Sequence, residues 1–394
     1  MSDEYQTTPI NVLPETWEII TLEEGVDKMT GGGTPTRDNK RYWNGKIPWA
    51  TVKDLQSSFI SKTEEYITEE GLKKSSANLI PANTLILATR MAVGKPVLFD
   101  KDVAINQDLK AIIPKDYIDT TFLFYWFLSK QNYLEFLGSG STVKGIRLEV
   151  LKGWKIAFHQ KKKKKKIASI LSTVDEKIET IEGQIKETQN LKKGLMQRLL
   201  TKGIGHTQFQ SSPLGEIPES WEVKKLGDIF KLKSGESLPK SKVIDGNYPV
   251  YGGNGIIYYH SEYNIDKPTI IIGRVGAKCG CINFSKEKSW ITDNALIINK
   301  KIKTYNDTYM FYFLDFLYLN SYANKNAQPV ISGQKIYPIK IGFPPLNEQQ
   351  KIASILSTVD EKLENLQSKK SQYEQLKKGL MQKLLTGKIR VQVN

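Results

Sequence analysis

Lys166-Ile-Ala-Ser-Ile-Leu-Ser-Thr-Val-Asp-Glu-Lys177 returns letter for letter as Lys351 to Lys362. Leu191-Lys-Lys-Gly-Leu-Met-Gln197 returns in the same way as Leu376 to Gln382, and each copy runs on through a Leu-Leu-Thr. Both stretches read as helices. In the first copy Ile167, Leu171, Val174, Ile178, Ile181 and Ile185 follow alternating steps of four and three, the heptad seam of a coiled coil. In the second, Ile352, Leu356, Val359, Leu363 and Leu366 keep the same steps. Phase is lost near Thr188 and Tyr373 and resumes at Leu191, Leu195 and Leu199 and at Leu376, Leu380 and Leu384, a stutter in the packing. No proline interrupts either stretch, and residues 166–201 as one helix would span roughly 54 Å.

A shorter echo opens each half: Leu13-Pro-Glu-Thr-Trp17-Glu18 and Ile217-Pro-Glu-Ser-Trp221-Glu222. The chain is therefore two copies of one unit, a variable globular block followed by a long helix. Such a duplication can fold with approximate two-fold symmetry, a symmetry that the backbone of duplex DNA shares. Pro344-Pro345 followed by Asn347 and Gln350 marks the start of the second helix, with Asn347 and Gln350 fitting a capping box. The first helix is preceded by His159-Gln160 and six lysines, Lys161 to Lys166. Cations there oppose the helix dipole, so the run reads as a solvated, frayed lead-in; contact with phosphates is the sharper alternative.

The blocks read as mixed α/β. Thr84–Thr89 and Ala111–Ile113 are buried-strand patterns, and Phe122–Leu128 is an aromatic, helix-like run. Thr269–Gly273, Ala295–Ile298 and Met310–Leu319 match them in the second block. Such aromatic stripes belong to a core. The expected fold class is α+β: two globular blocks separated by two long antiparallel coiled-coil helices, a pseudo-two-fold internal repeat.

The chain has 394 residues, a formal net charge of +15 and a pI near 9.4, which favours a polyanionic partner. No apolar run reaches the ~18–20 residues a membrane-spanning helix needs. Met1-Ser-Asp-Glu-Tyr-Gln6 is polar and acidic, unlike a signal peptide, so a cytoplasmic location is expected. Cys279 and Cys281 are too close to staple a fold and, with three scattered histidines, make no zinc site; they read as small residues in a glycine-rich strand segment.

Catalytic motifs are missing. There is no phosphate loop, so Gly31–Gly33 is not a nucleotide cradle, and neither a nucleophile elbow nor a zinc-protease helix occurs. A base-directed methyltransferase would need a glycine-rich turn joined to Asn-Pro-Pro-Tyr, which is also lacking. Asp175-Glu-Lys177 and Asp360-Glu-Lys362 resemble a nuclease carboxylate–lysine set but sit on heptad helices, where such residues form a solvated flank.

What remains suits DNA reading. The first block carries Arg37, Lys40, Arg41, Tyr42, Lys53, Arg90, Lys95, Lys144 and Arg147; the second carries Lys240, Lys242, Tyr251, Asn254, Arg274, Lys278, Gln334 and Lys335. Arginine can be bidentate to guanine and Asn or Gln to adenine, while lysines hold phosphates. For any one of them an exposed solubilising role is the alternative. Arg90 and Arg274 stand out, because they occupy corresponding positions directly after corresponding buried strands.

In these residues the chain resembles, over essentially its whole length, the specificity subunits of Type I restriction–modification enzymes. The carriers are Ile217–Gly227, Gly32-Gly-Thr-Pro-Thr36 with Tyr42-Trp43-Asn-Gly45 and Ile47-Pro-Trp49, Tyr251-Gly-Gly-Asn-Gly255, and Pro344-Pro-Leu-Asn-Glu-Gln-Gln-Lys-Ile352. The resemblance implies a non-catalytic subunit with two target recognition domains that read a split, asymmetric site on double-stranded DNA. It also implies a helical ruler between them and docking of two methyltransferase subunits and of restriction (motor) subunits. S-adenosylmethionine, ATP and Mg²⁺ would then belong to the partners, with no cofactor on this chain. The domains expected are a first target recognition domain at 1–160, a spacer helix at 161–202 and a linker at 203–212. A second recognition domain at 213–345, a spacer helix at 346–388 and a tail at 389–394 complete the chain. One departure stands at the first helix start, where His159-Gln-Lys-Lys-Lys-Lys164 replaces Pro-Pro-Leu-x-Glu-Gln. A specificity subunit of a Type IIB or solitary methyltransferase system would look the same. A coiled-coil scaffold that binds no DNA is the rival of another class.

Overall fold

Four consecutive apolar residues at Leu85–Ala88, all buried, form the central strand of the first block. In a strand, such a run requires cover on both faces, because successive side chains point to opposite sides. The computed structural model describes residues 5–7, 12–14, 17–138, 144–158, 161–324, 329–389 and 391. In it, Leu85–Ala88 pairs antiparallel with Leu109–Pro114 on one side and with Pro96–Phe99 on the other. Val26–Gly31 and Phe59–Ile60 complete five strands. A second sheet runs in the order Glu65–Ile67, Trp43–Ala50, Val103–Ile105, Asn78–Ile80. Its Ala50, Ile80 and Ile105 share a core with Ile86, Val97 and Ala111 of the first.

The aromatic run is the helix Thr120–Leu137, capped by Asp119, whose carboxylate accepts the Phe122 N–H. Every residue from Phe122 to Phe127 is buried, as suits a helix apolar on all sides. It lies in one core with Leu85, Leu87 and Leu98 of the sheet and with Ile167 and Leu171 of the first long helix.

The second block repeats this plan. Thr269–Gly273, wholly buried, pairs with Ile282–Ser285 and Ala295–Lys301. The helix Asp307–Phe316 is capped by Asn306. It stops short of the expected Leu319 because Tyr318 takes a left-handed conformation (φ 48°), after which Leu319–Tyr322 forms a 3-10 turn. The stretch read as a linker includes a strand, Phe209–Ser212, in a hairpin with Gly215–Pro218.

The chain divides into two compact units, Met1–Ile181 with Lys369–Asn394, and Glu182–Ser368. Each unit holds one globular block and a segment of both long helices, Lys161–Lys202 and Leu346–Leu384. Within the first unit Ile167 and Leu171 share a core with Met381 and Leu384, and Asp175 pairs with Lys377 at 2.6 Å. Within the second, Leu199 shares a core with Ile352 and Leu356, and Lys192 pairs with Asp360 at 2.7 Å. In each unit rising numbers on one helix meet falling numbers on the other, so the segments run antiparallel.

Three expectations about the helices are corrected. First, the seam does not resume at Leu191 and Leu376, which are 53 % and 48 % exposed. Their neighbours Lys192 and Lys377 turn inward instead, drawn by Asp360 and Asp175. Second, the lysine run is not merely a solvated lead-in. The helix begins at Lys161, and Lys164 is buried, with its ammonium donating to the Tyr117 carbonyl at 2.8 Å. The corresponding residue of the second copy is Gln349, also buried, which donates to the Pro344 carbonyl and accepts the Asn306 N–H. His159, Gln160 and the side chains of Lys161 to Lys163 lie outside the described residues. Third, the second helix starts at Leu346, so Asn347 lies in its first turn and not at its cap; Pro345 O accepts the N–H groups of Glu348 and Gln349.

Candidate nucleic-acid interface

Two groups of the expected residues assemble in the first block. One surrounds Trp43. The Arg37 guanidinium stacks 4.0 Å over the Trp43 ring and donates to both carboxylate oxygens of Glu65. The arginine holds that carboxyl below its ordinary range, and the carboxylate in turn raises Arg37. Trp43 and Trp49 fix the loop that leads to Arg37, donating from their indole nitrogens to Thr36 O and Gly33 O. Lys40, Arg41 and Tyr42 form a 3-10 turn begun by Asn39, and Thr68 holds it through Arg41 O and Tyr42 O. Lys53 stands in a second 3-10 turn closed by the Thr51–Asp54 capping box. Arg37 is thus stacked on Trp43, with its fork turned to Glu65 at a surface where both side chains stay largely exposed.

The other group sits where Leu85–Ala88 leaves the sheet. Arg90 is 59 % exposed in its side chain, with Asp108 Oδ1 3.8 Å away. It bridges to Gly145, while Met91 N donates to Lys144 O, bringing Lys144 beside it. Lys95 closes the turn. Arg147 precedes the short helix Leu148–Lys152.

In the second block Arg274 is half-buried and donates to Ser234 Oγ at 3.2 Å. Asn254 is the exposed tip of the turn between Tyr248–Gly252 and Gly255–His260. That turn lies against the Arg274 loop so closely that a Cβ on Gly273 would fall 2.1 Å from Gly253 O, which explains the glycine. Lys278 is exposed on the same loop, and Gln334 and Lys335 are exposed on the short helix Gly333–Ile336, which follows Ile331, whose N–H is bonded to Arg274 O. Lys240 and Lys242 occupy a separate 3-10 turn. Tyr251 differs from its expected place at the surface: it is buried in a cluster with Ile271 and Ile291 and supports the Asn254 turn from below.

The two arginines are not equivalent. Thr89 N and Arg274 N donate to the corresponding carbonyls of Asp108 and Asn294, and Thr89 O and Arg274 O accept from Ile146 and Ile331. Arg274 thus stands where Thr89 does, and Arg90 stands where Val275 does. A one-residue offset on extended backbone turns a side chain to the opposite face, so the correspondence drawn from sequence is off by one. Glu65, Ser234 and Asp108, the partners of the arginines, carry no sequence signal that singles them out.

Each block is also tied to both helices by the same three residues. Tyr125 donates to Asp175 at 2.7 Å, and Asp175 pairs with Lys377; Tyr312 donates to Asp360 at 2.7 Å, and Asp360 pairs with Lys192. Burial pushes both phenols up, further from ionisation, in keeping with their role as donors. In each case the lysine comes from the other copy of the repeat.

Among the described residues no three His, Cys, Asp or Glu side chains gather as a metal ion would need, and no helix is long and apolar enough to cross a membrane. A family profile, the Type I restriction modification DNA specificity domain, matches residues 14–190 and again 218–375. The chain belongs to this family. Among its specificity-subunit relatives is that of the MjaIX enzyme of Methanocaldococcus jannaschii, 27 % identical over 99 % of this chain and 97 % of the relative. That of the EcoprrI enzyme of Escherichia coli is 26 % identical over 85 % and 86 %. The crystal structure of a Type I restriction–modification S subunit from M. genitalium shares the fold across the full length of both chains, with a TM-score of 0.66 at 19 % identity.

Proposed function

We propose that this specificity subunit reads a bipartite, asymmetric site on double-stranded DNA, one half-site per block, and is itself non-catalytic. On this reading it docks two methyltransferase subunits through its two helical repeats and recruits restriction subunits. S-adenosylmethionine, ATP and Mg²⁺ then serve the partners. The observation that carries the reading is the contrast between the two parts of each copy. The helix segments are identical in sequence and present the same residues outward, Leu191 and Leu376 among them, beside the same Tyr–Asp–Lys contacts. Identical surfaces suit two copies of one partner. The loops that carry Arg90 and Arg274 differ in sequence and set their arginines one residue apart within a common hydrogen-bonded frame, which suits two different half-sites. The charge of +15 supports a phosphate-bearing partner.

The test is base-resolution mapping of methylated adenine in cells with and without the chain. The expected outcome is a single bipartite motif that loses its methylation when the chain is removed. An unchanged methylation map in cells that contain the modification subunits would overturn the reading and favour a scaffold.

A further inference from the structure

The turns after the two central strands begin in one hydrogen-bonded frame, the second being one residue longer, and they differ at a strained position near the start. Met91 N donates to Lys144 O at 2.9 Å, and Gly276 N donates to Pro329 O at 3.0 Å. Gly94 N reaches Ala88 O just as Gly280 N reaches Gly273 O. Met91 and Gly276 are therefore equivalent, and both have positive φ, 62° and 90°. Glycine takes this conformation without strain, whereas a side chain brings Cβ against its own carbonyl. The second block uses the glycine. The first keeps a methionine there and gives it no core to fill, since Met91 is 63 % exposed. Its neighbours are the exposed cations Arg90 and Lys144, the former opposite Asp108. An unbranched thioether adapts its shape to an irregular apolar surface, and backbone strain of this kind is enriched at ligand-contacting positions.

Resting on the DNA-reading role proposed above, we infer that Met91 is a specificity residue of the first block, making an apolar contact with a base while Arg90 and Lys144 hold the DNA beside it. Apolar side chains distinguish bases in this way, against the thymine methyl or between base steps. The second block, with Gly276, lacks this contact.

The test selects binding sites from randomised duplexes with the full-length chain in complex with its methyltransferase partner, as wild type, Met91→Gly and Met91→Ala. Met91→Gly should melt no lower than wild type, since the sister turn already accommodates glycine. It should keep the second half-site unchanged and lose discrimination about tenfold at one or two base pairs of the first. Met91→Ala, which keeps the left-handed strain but removes the thioether, should lose the same discrimination. Wild-type discrimination in both variants, or a loss of affinity equal for all sequences, would overturn the inference while leaving the DNA-reading role intact. A wild-type complex that selects no sequence would overturn both.

Discussion

Arg90 and Arg274 look alike in the sequence and differ in their surroundings. Arg90 reaches outward from a bridged backbone with Asp108 nearby, and Arg274 is half-buried and steadied by Ser234. Both are presented from rigid strand ends, the condition for reading a base edge with a bidentate fork. Alanine at Arg90 is expected to relax preference in the first half-site, and alanine at Arg274 in the second, each by roughly 1–3 kcal/mol of discrimination. Site selection with each variant checks this; a uniform drop in affinity with unchanged preference would place that arginine on the phosphate backbone. The cations and the Asn254 turn were visible as candidates because glycine-rich loops and charge mark exposed segments. Tyr251 was not separable from them by sequence, because an aromatic beside a turn is as often its support as its surface.

The long helices were legible by period alone through Ile181 and Leu363, since identical heptads demand identical burial. Beyond the stutter, period misled. Extrapolated leucines point outward at Leu191 and Leu376 because an ion pair claims the inward position one residue later. Asp175 and Lys377 have side chains only 14 % and 16 % exposed, so leaving either unpaired strands a mostly buried charge. Asp175→Lys is therefore expected to destabilise the chain by on the order of 3 kcal/mol, and adding Lys377→Asp should recover most of that loss. Denaturant unfolding of the full-length single and double variants gives the coupling. Additive losses would show that the pair contributes nothing beyond packing. The buried Lys164 follows the same logic: a long cation can enter a core when a carbonyl such as that of Tyr117 receives it.

At the scale of the whole molecule, both long helices pass from one compact unit into the other, the first at Ile181–Glu182. On the proposed function these helices set the distance between the half-sites. Four residues inserted after Glu182 add roughly 6 Å to one helix and shift its register against the other. The expected result is a longer unspecified spacer in the recognised motif, or loss of assembly, with the bases of each half-site unchanged. Methylation mapping reads this directly. The original spacing at undiminished efficiency, or altered half-site bases, would show that the helices do not set the distance.

By itself the sequence determined the duplication, the two mixed α/β blocks, the buried central strands, the helical seam and the basic character, because each follows from local period, burial or charge. Only the tertiary structure decided which side chain of each loop faces outward, which lysines turn inward and where a methionine stands in place of a glycine. Those outcomes depend on hydrogen-bond frames closed by residues far apart in the chain, such as Met91 with Lys144 and Arg274 with Ile331. A one-residue offset in such a frame reverses the direction of a side chain without leaving any trace in composition or period.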